Sequence, residues 1–166
     1  MSVTVRPAKT GDEVTILGFI QELADYEKLS HEVVATADQL SKTLFLDQPK
    51  AFALIAEQSG DAIGFALYFF SYSTFLGKHG IYLEDLYVQK KHRGGGAGKE
   101  LLSALAKIAV ENDCGRMEWS VLDWNAPSIA FYKSLDAEPM DGWTTFRLTG
   151  APLKTFGGRA SGAEPL

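Results

Sequence analysis

Disulfide chemistry is closed to this chain. Its 166 residues include one cysteine, Cys114, so neither an intramolecular disulfide nor a four-cysteine zinc site can form. Long apolar runs are missing too: the longest, Ala62 to Phe70, is broken by Gly64 and has the length of a strand, so no membrane partner is expected. Cations are not in excess. Lys and Arg number 16 against 21 Asp and Glu, a net charge of −5, which argues against nucleic acid as a partner because phosphate contacts need clustered positive charge. His31, His79 and His92 share no metal-ligand spacing, so no metal is expected. There is no G-x-S-x-G nucleophile elbow. The first residues lack a basic stretch followed by an apolar one, so a secretory signal is not predicted and a cytoplasmic location is the expectation. What is present is a globular composition, 46% hydrophobic and 22% charged. The length suits a single domain, read here as residues 1–150 with a C-terminal tail over 151–166.

Periodicity divides the chain into alternating elements. Val3 to Arg6 alternates as a strand ended by Pro7. Thr10-Gly-Asp-Glu13 has capping-box spacing, and Val14, Leu17, Ile20, Leu23 and Ala24 share one helical face up to about Tyr26. Thr36 and Gln39 repeat the capping pattern before a shorter helix that ends ahead of Pro49. Ala51–Glu57 and Ala62–Tyr72 predict a hairpin about Ser59-Gly60-Asp61, and Gly80–Val88 predicts the next strand. A helix carrying Leu101, Leu102, Leu105, Ile108 and Ala109 follows a glycine turn. Then come a strand over Arg116–Leu122, a helix over Asn125–Leu135 and a last strand over Trp143–Leu148. Gly157, Gly158 and Gly162 suggest a loose tail. The order β-α-α-β-β-β-α-β-α-β predicts an α/β fold, a mixed sheet with helices on its faces.

The glycine turn is the most informative segment. Arg93-Gly94-Gly95-Gly96-Ala97-Gly98-Lys99 lies between a strand and a helix, where backbone N–H groups converge at the positive end of a helix dipole. Lys90, Lys91, His92, Arg93 and Lys99 crowd this stretch of an otherwise acidic chain, which suits a phosphorylated ligand better than a solvated loop. The P-loop template fails, because the glycines are one residue too close and Glu100 stands where a magnesium-binding Ser or Thr belongs. The dinucleotide fingerprint fails because Lys99 stands at its third glycine. Arg93-x-x-Gly96-x-Gly98 does fit R/Q-x-x-G-x-G/A, and in this the chain resembles the GCN5-related N-acetyltransferases (the GNAT superfamily).

The resemblance extends over about residues 3 to 148. Arg6-Pro7-Ala8, the Glu22–Glu27 segment, Tyr72 to Lys78, Tyr82-Leu-Glu84-Asp85, Leu122 to Lys133 and Gly142-Trp143 look most like the diamine acetyltransferases, a group that includes spermidine/spermine and thialysine N-epsilon-acetyltransferases. Ser73 stands where the polyamine enzymes carry an acidic residue, Phe75 where the group usually has Trp, and Asp136 where a glycine follows the tyrosine helix. Tyr72-Ser-Thr74 and Val121 to Asn125 lean toward the thialysine branch.

The resemblance implies a GNAT fold, a homodimer, and transfer of acetyl from acetyl-CoA to a primary amine of a small cationic substrate in a ternary complex. Protein N-acetylation, or a non-catalytic acyl-CoA-binding module, are the alternatives. The implied catalytic residues are Glu84, which would take the amine proton, and Tyr132, the general acid for the departing thiolate. Each also has a blander role, as an outward strand carboxylate and a half-buried helix tyrosine. Adjacent Glu84 and Asp85 should point to opposite faces of the strand unless a bulge intervenes, so at most one is expected at the substrate. For acetyl-CoA the resemblance implies Leu86, Tyr87 and Val88 along the pantetheine, with the Leu86 N–H toward the thioester oxygen. Arg93, Gly94, Gly95, Gly96, Ala97, Gly98 and Lys99 would meet the pyrophosphate, and Asn125, Ala126, Pro127 and Ser128 the pantetheine arm. Asn125 is equally suited to a helix N-cap. For the amine it implies Tyr26, Glu27, Glu84, Glu118, Trp119, Ser120 and Asp141, a set whose carboxylates suit a cation.

Overall fold

The computed structural model describes residues 2–159. Two compact units are distinguished, Met1–Trp124 and Asn125–Leu166. The first holds a sheet in the order β1-β2-β3-β4-β5: β1 (Val3–Pro7), β2 (Phe52–Gln58), β3 (Asp61–Ser73), β4 (Lys78–Val88) and β5 (Met117–Trp119). The pairings β1–β2, β2–β3 and β3–β4 are antiparallel, and β4–β5 is parallel. This is the mixed sheet that the element order predicts. α1 (Glu13–Tyr26) and α2 (Ala37–Leu44) precede β2, and α3 (Ala97–Glu111) joins β4 to β5.

Alternation along the strands divides the core between two faces. Ala53, Ile55 and Phe65 join Ile16 and Phe19 of α1 and Leu40 and Leu44 of α2 in one buried cluster with Tyr87. Leu54 and Ala56, between those β2 positions, point to the other face, and α3 packs on β1 to β4 through buried Leu101, Leu102 and Leu105. Each fully buried Phe or Leu of this kind stabilises the fold by roughly 1.5–3 kcal/mol.

Caps settle where the helices start. Thr36 and Gln39 form the reciprocal box, Gln39 N–H donating to Thr36 Oγ1 (3.2 Å) and Thr36 N–H to Gln39 Oε1 (3.0 Å). The Thr10–Glu13 box does not form. Asp12 is the N-cap residue of α1, and its carboxylate is taken by Arg6 (2.7 and 3.0 Å) and by the Lys9 N–H (2.8 Å). Glu13 instead accepts from the Gly11 N–H. An ion pair from β1 thus outcompetes the local hydroxyl cap.

In the second unit, α4 covers Ala126–Lys133 and α5 covers Gly150–Arg159. The strand expected over Trp143–Leu148 is not formed: these residues are exposed and without regular structure, since no strand among the described residues pairs with them. The expected loose tail is helical as far as Arg159, and Gly162 lies outside the described residues. Strand β5 is also shorter than predicted, because its pairing with β4 ends at Leu83↔Trp119. No helix among the described residues is long and apolar enough to cross a membrane.

Candidate active site

A defect in β4 builds the first part of the site. Asp85 pairs with Leu67 and Leu83 with Tyr68, so Glu84 is the extra residue of a β-bulge. A bulge breaks strict alternation. Glu84 and Asp85 consequently both line one cavity of about 410 Å³, which is the exception that a bulge makes to the opposite-face arrangement expected of adjacent strand residues. The end of α1 supplies Ile20, Leu23, Ala24 and Glu27 to the same cavity, and the segment after it supplies Leu29, Glu32, Val33, Val34 and Ala35. That second wall, built about the 3-10 turn Ser30–Glu32, carries no motif and was invisible to the sequence reading.

The electrostatics of this cavity are lopsided. Glu27, Glu84 and Asp85 take part in none of the ion pairs found among the described residues. Burial pushes the Asp85 carboxyl up to about 6, and the charges of Glu84 and Glu27 push the same way. Burial also raises Glu27. Glu84 is exposed to solvent and also lines the cavity. The apolar walls with converging carboxylates make a pocket suited to the alkyl chain and ammonium of an amine.

The glycine turn forms the second part. Gly96, with φ +89°, caps α3, and Gly94 has φ +81°, so both positions require glycine. Gly98 is different: it lies in the first turn of α3, and a Cβ there would meet nothing within 4 Å. A helix glycine costs about 0.8–1 kcal/mol relative to alanine, and no neighbour in the protein requires this one. The N–H groups of Gly94, Gly95 and Gly96 donate to no acceptor among the described residues. Exposed amides with no protein acceptor, open glycine surface and the positive end of a 15-residue helix fit a pyrophosphate. Beyond Leu83, β4 is paired on its β3 side alone, which leaves Leu86 to Val88 an open edge suited to a strand-like pantetheine. The Arg93 side chain turns elsewhere. Its guanidinium lies 4.8 Å from the Tyr26 ring centroid and 5.5 Å from that of Tyr87, and its Nε donates to Val88 O (2.9 Å).

Other amine candidates of this unit fall in two places. Tyr26, half-exposed, packs its ring 5.9 Å from that of Trp124 at a tilt of 51°. Glu118 is paired with Arg116 (2.8 Å), and Ser120 Oγ hydrogen-bonds the Tyr82 hydroxyl (2.9 Å). Trp119, at the end of β5, pairs in register with Leu83.

In the second unit, Asn125 is buried and its Oδ1 accepts from the Ser128 N–H (3.3 Å), so its capping role is realised. Ala126 opens α4, with Pro127 in its first turn. Tyr132 lies half-buried on α4 with its ring 5.6 Å from Phe131. The helix ends with Asp136 at φ +60° and with the Tyr132 carbonyl accepting from Leu135 and Ala137, so an aspartate here takes up the left-handed turn of a glycine. Asp141 is exposed.

Comparison with known proteins gives a consistent result. Residues 17–136 match the Acetyltransferase (GNAT) family. The chain is 37% identical to a thialysine N-epsilon-acetyltransferase from Sus scrofa, over 95% of this chain and 99% of that one. It is 38% identical to the enzyme of the same name from Bos taurus, over 95% and 98%. An integron cassette protein from V. cholerae superposes with a TM-score of 0.78 at 25% identity, over 95% of this chain and 98% of that one.

Proposed function

The chain belongs to the acetyltransferase (GNAT) family and is an N-acetyltransferase, and we propose that it acetylates the primary amine of a small cationic compound, a lysine-like molecule such as thialysine or a polyamine, using acetyl-CoA in a ternary complex. The observation that carries this reading is the cavity at the β4 bulge, where Glu27, Glu84 and Asp85 converge with no partner cation among the described residues. An ammonium supplies the missing charge. The apolar walls admit its methylene chain, and a thioether in that chain fits the same surface.

An amine must lose its proton before it attacks. With a pKa of about 10.4, neutralising it at pH 7 costs roughly 4–5 kcal/mol. In this reading Glu84 takes that proton, directly or through a water, while Asp85 and Glu27 hold the cation in place. Acetyl-CoA, when bound, supplies the acetyl group as a thioester. The glycine turn from Gly94 to Lys99 holds its pyrophosphate, the open edge of Leu86 to Val88 its pantetheine, and Asn125 to Ser128 its arm. The Leu86 N–H donates to the carbonyl oxygen where charge gathers, and the Tyr132 hydroxyl gives its proton to the departing sulfur. Tyr26, Glu118, Trp119, Ser120 and Asp141 complete the amine set. Residues 1–150 are the acetyltransferase domain.

The test is a thiol-release assay with acetyl-CoA and thialysine, lysine, spermidine, putrescine and short peptides. The expected result is release with the lysine-like amines or polyamines and little with peptides. Acetyl-CoA binding without release from any amine overturns the enzyme reading in favour of a binding module.

A further inference from the structure

The leading arginine of the glycine turn is placed to serve the amine rather than the phosphate. Arg93 immediately precedes Gly94, yet its guanidinium lies over both the Tyr26 ring on α1 and the Tyr87 ring on β4 (4.8 and 5.5 Å to the centroids). Its Nε is committed to Val88 O at 2.9 Å. The stack is fixed from both sides. Tyr87 donates its hydroxyl to Glu22 Oε2 (2.9 Å), and Gln89 Nε2 donates to Glu22 Oε1 (3.1 Å). Glu22 lies four residues before Tyr26, so both present the same face of α1. The Tyr26 ring also meets that of Trp124 at a 51° tilt, and Trp124 lies under the ammonium of Lys28. The contacts run from Lys28 through Trp124, Tyr26 and Arg93 to Tyr87, with Arg93 as the link between the end of α1 and the start of the turn.

We propose that Arg93 is a positioning residue: in contact with the Tyr26 and Tyr87 rings and bonded to the Val88 carbonyl, it clasps the C-terminal end of α1 to the glycine turn and so sets where Tyr26 and Glu27 meet the amine. The clasp rests on the acetyltransferase reading for its catalytic consequence but not for its existence. The last turn of α1 also carries part of the cavity wall, Leu23, Ala24 and Glu27. A planar guanidinium is required, because it can stack on two rings and donate through Nε at once, which a lysine ammonium cannot do. A cation at the end of α1 also suits the negative pole of that helix.

Arg93→Lys and Arg93→Gln separate this role from phosphate binding. Hydrogen exchange on the protein alone reads the clasp directly: amides of Glu27 and Leu29, which bond back to Leu23 and Ala24, should exchange about fivefold faster in both variants, a ratio typical of one lost cation–π contact. Unchanged exchange there overturns the clasp whatever the protein catalyses. In kinetics, the amine KM should rise about fivefold in both variants, while acetyl-CoA affinity by calorimetry stays within about twofold. A phosphate ligand behaves oppositely: Arg93→Gln would weaken acetyl-CoA binding more than tenfold, Arg93→Lys would largely retain it, and the amine KM would not move. That pattern overturns the proposal. Failure of the unaltered protein to bind acetyl-CoA contradicts the acetyltransferase reading instead, and the exchange rates still decide on the clasp.

Discussion

Two aspartates of the first unit show opposite uses of the same side chain. Asp12 is buried and fully compensated: Arg6 grips both of its oxygens, the Lys9 N–H donates to one of them, and its carboxyl is held below the ordinary range, chiefly by the Arg6 hydrogen bond. Asp85 is half-buried with no cation beside it, and its carboxyl is raised to about 6 by burial and by Glu84 and Glu27. The fold closes the charge balance where an aspartate ties β1 to α1. It leaves the balance open where the cation arrives with a ligand. An uncompensated acidic cavity costs stability in the free protein, and that cost is the mark of a site kept for binding.

Removing a charge from each side sharpens the contrast. The largest effect is expected at the cavity. Glu84→Gln should lower turnover by about 10²-fold near pH 7, with a smaller deficit above pH 10, where the amine is already neutral. A pH–rate profile checks this, and a uniform loss across pH would assign Glu84 a structural role. Next is Asp12→Ala, which should destabilise the fold by about 2 kcal/mol by leaving Arg6 part-buried with Glu57 as its remaining partner. Denaturant unfolding at pH 7 checks it. Because the Asp12 carboxyl is depressed in the folded state, its contribution is present above its ordinary value of 3.8 and fades as pH falls below it, so the variant and the parent should converge in acid.

Asp85→Asn should do the reverse. A raised carboxyl contributes stability that is full below 3.8 and is lost as pH rises through about 6. The asparagine variant should therefore be the more stable protein at pH 7–8, by about 1–2 kcal/mol after allowance for solvent screening, with no advantage at pH 4. Thermal midpoints at both pH values check this, and the amine KM should rise in the same variant. The smallest effect belongs to a third aspartate, kept for its backbone rather than its charge. Asp136→Gly should stabilise the protein by about 0.5–1 kcal/mol by relieving the positive φ, seen as a small rise in the melting temperature.

Much of this was legible in the sequence, and the exceptions share a physical form. Alternation located β1 to β4 within two residues, and apolar periodicity located α1 and α3, because those signals reflect burial against many neighbours. The glycine turn was legible because Gly94 and Gly96 are dictated by local backbone conformation. What failed depended on partners distant in the chain. Thr10 lost its cap because Arg6 claims Asp12. Trp143–Leu148 alternates like a strand but has no strand beside it among the described residues. The residues at 157–158 carry two glycines and still continue α5. In the site, the shared cavity of Glu84 and Asp85 rests on a one-residue shift against β3, and residue order does not encode which register wins. Arg93 was legible as part of a phosphate motif, whereas its stacking depends on where α1 ends.

The most direct test of the open charge balance is to count protons on amine binding. Calorimetric titration of thialysine at pH 6, with CoA present and in two buffers of different ionisation heat, should show about half a proton released per amine bound, because the arriving ammonium forces Asp85 to ionise. The release should vanish in Asp85→Asn and persist in Asp12→Asn. Binding with no proton released, or equal release from the Asp85→Asn protein, would contradict the account.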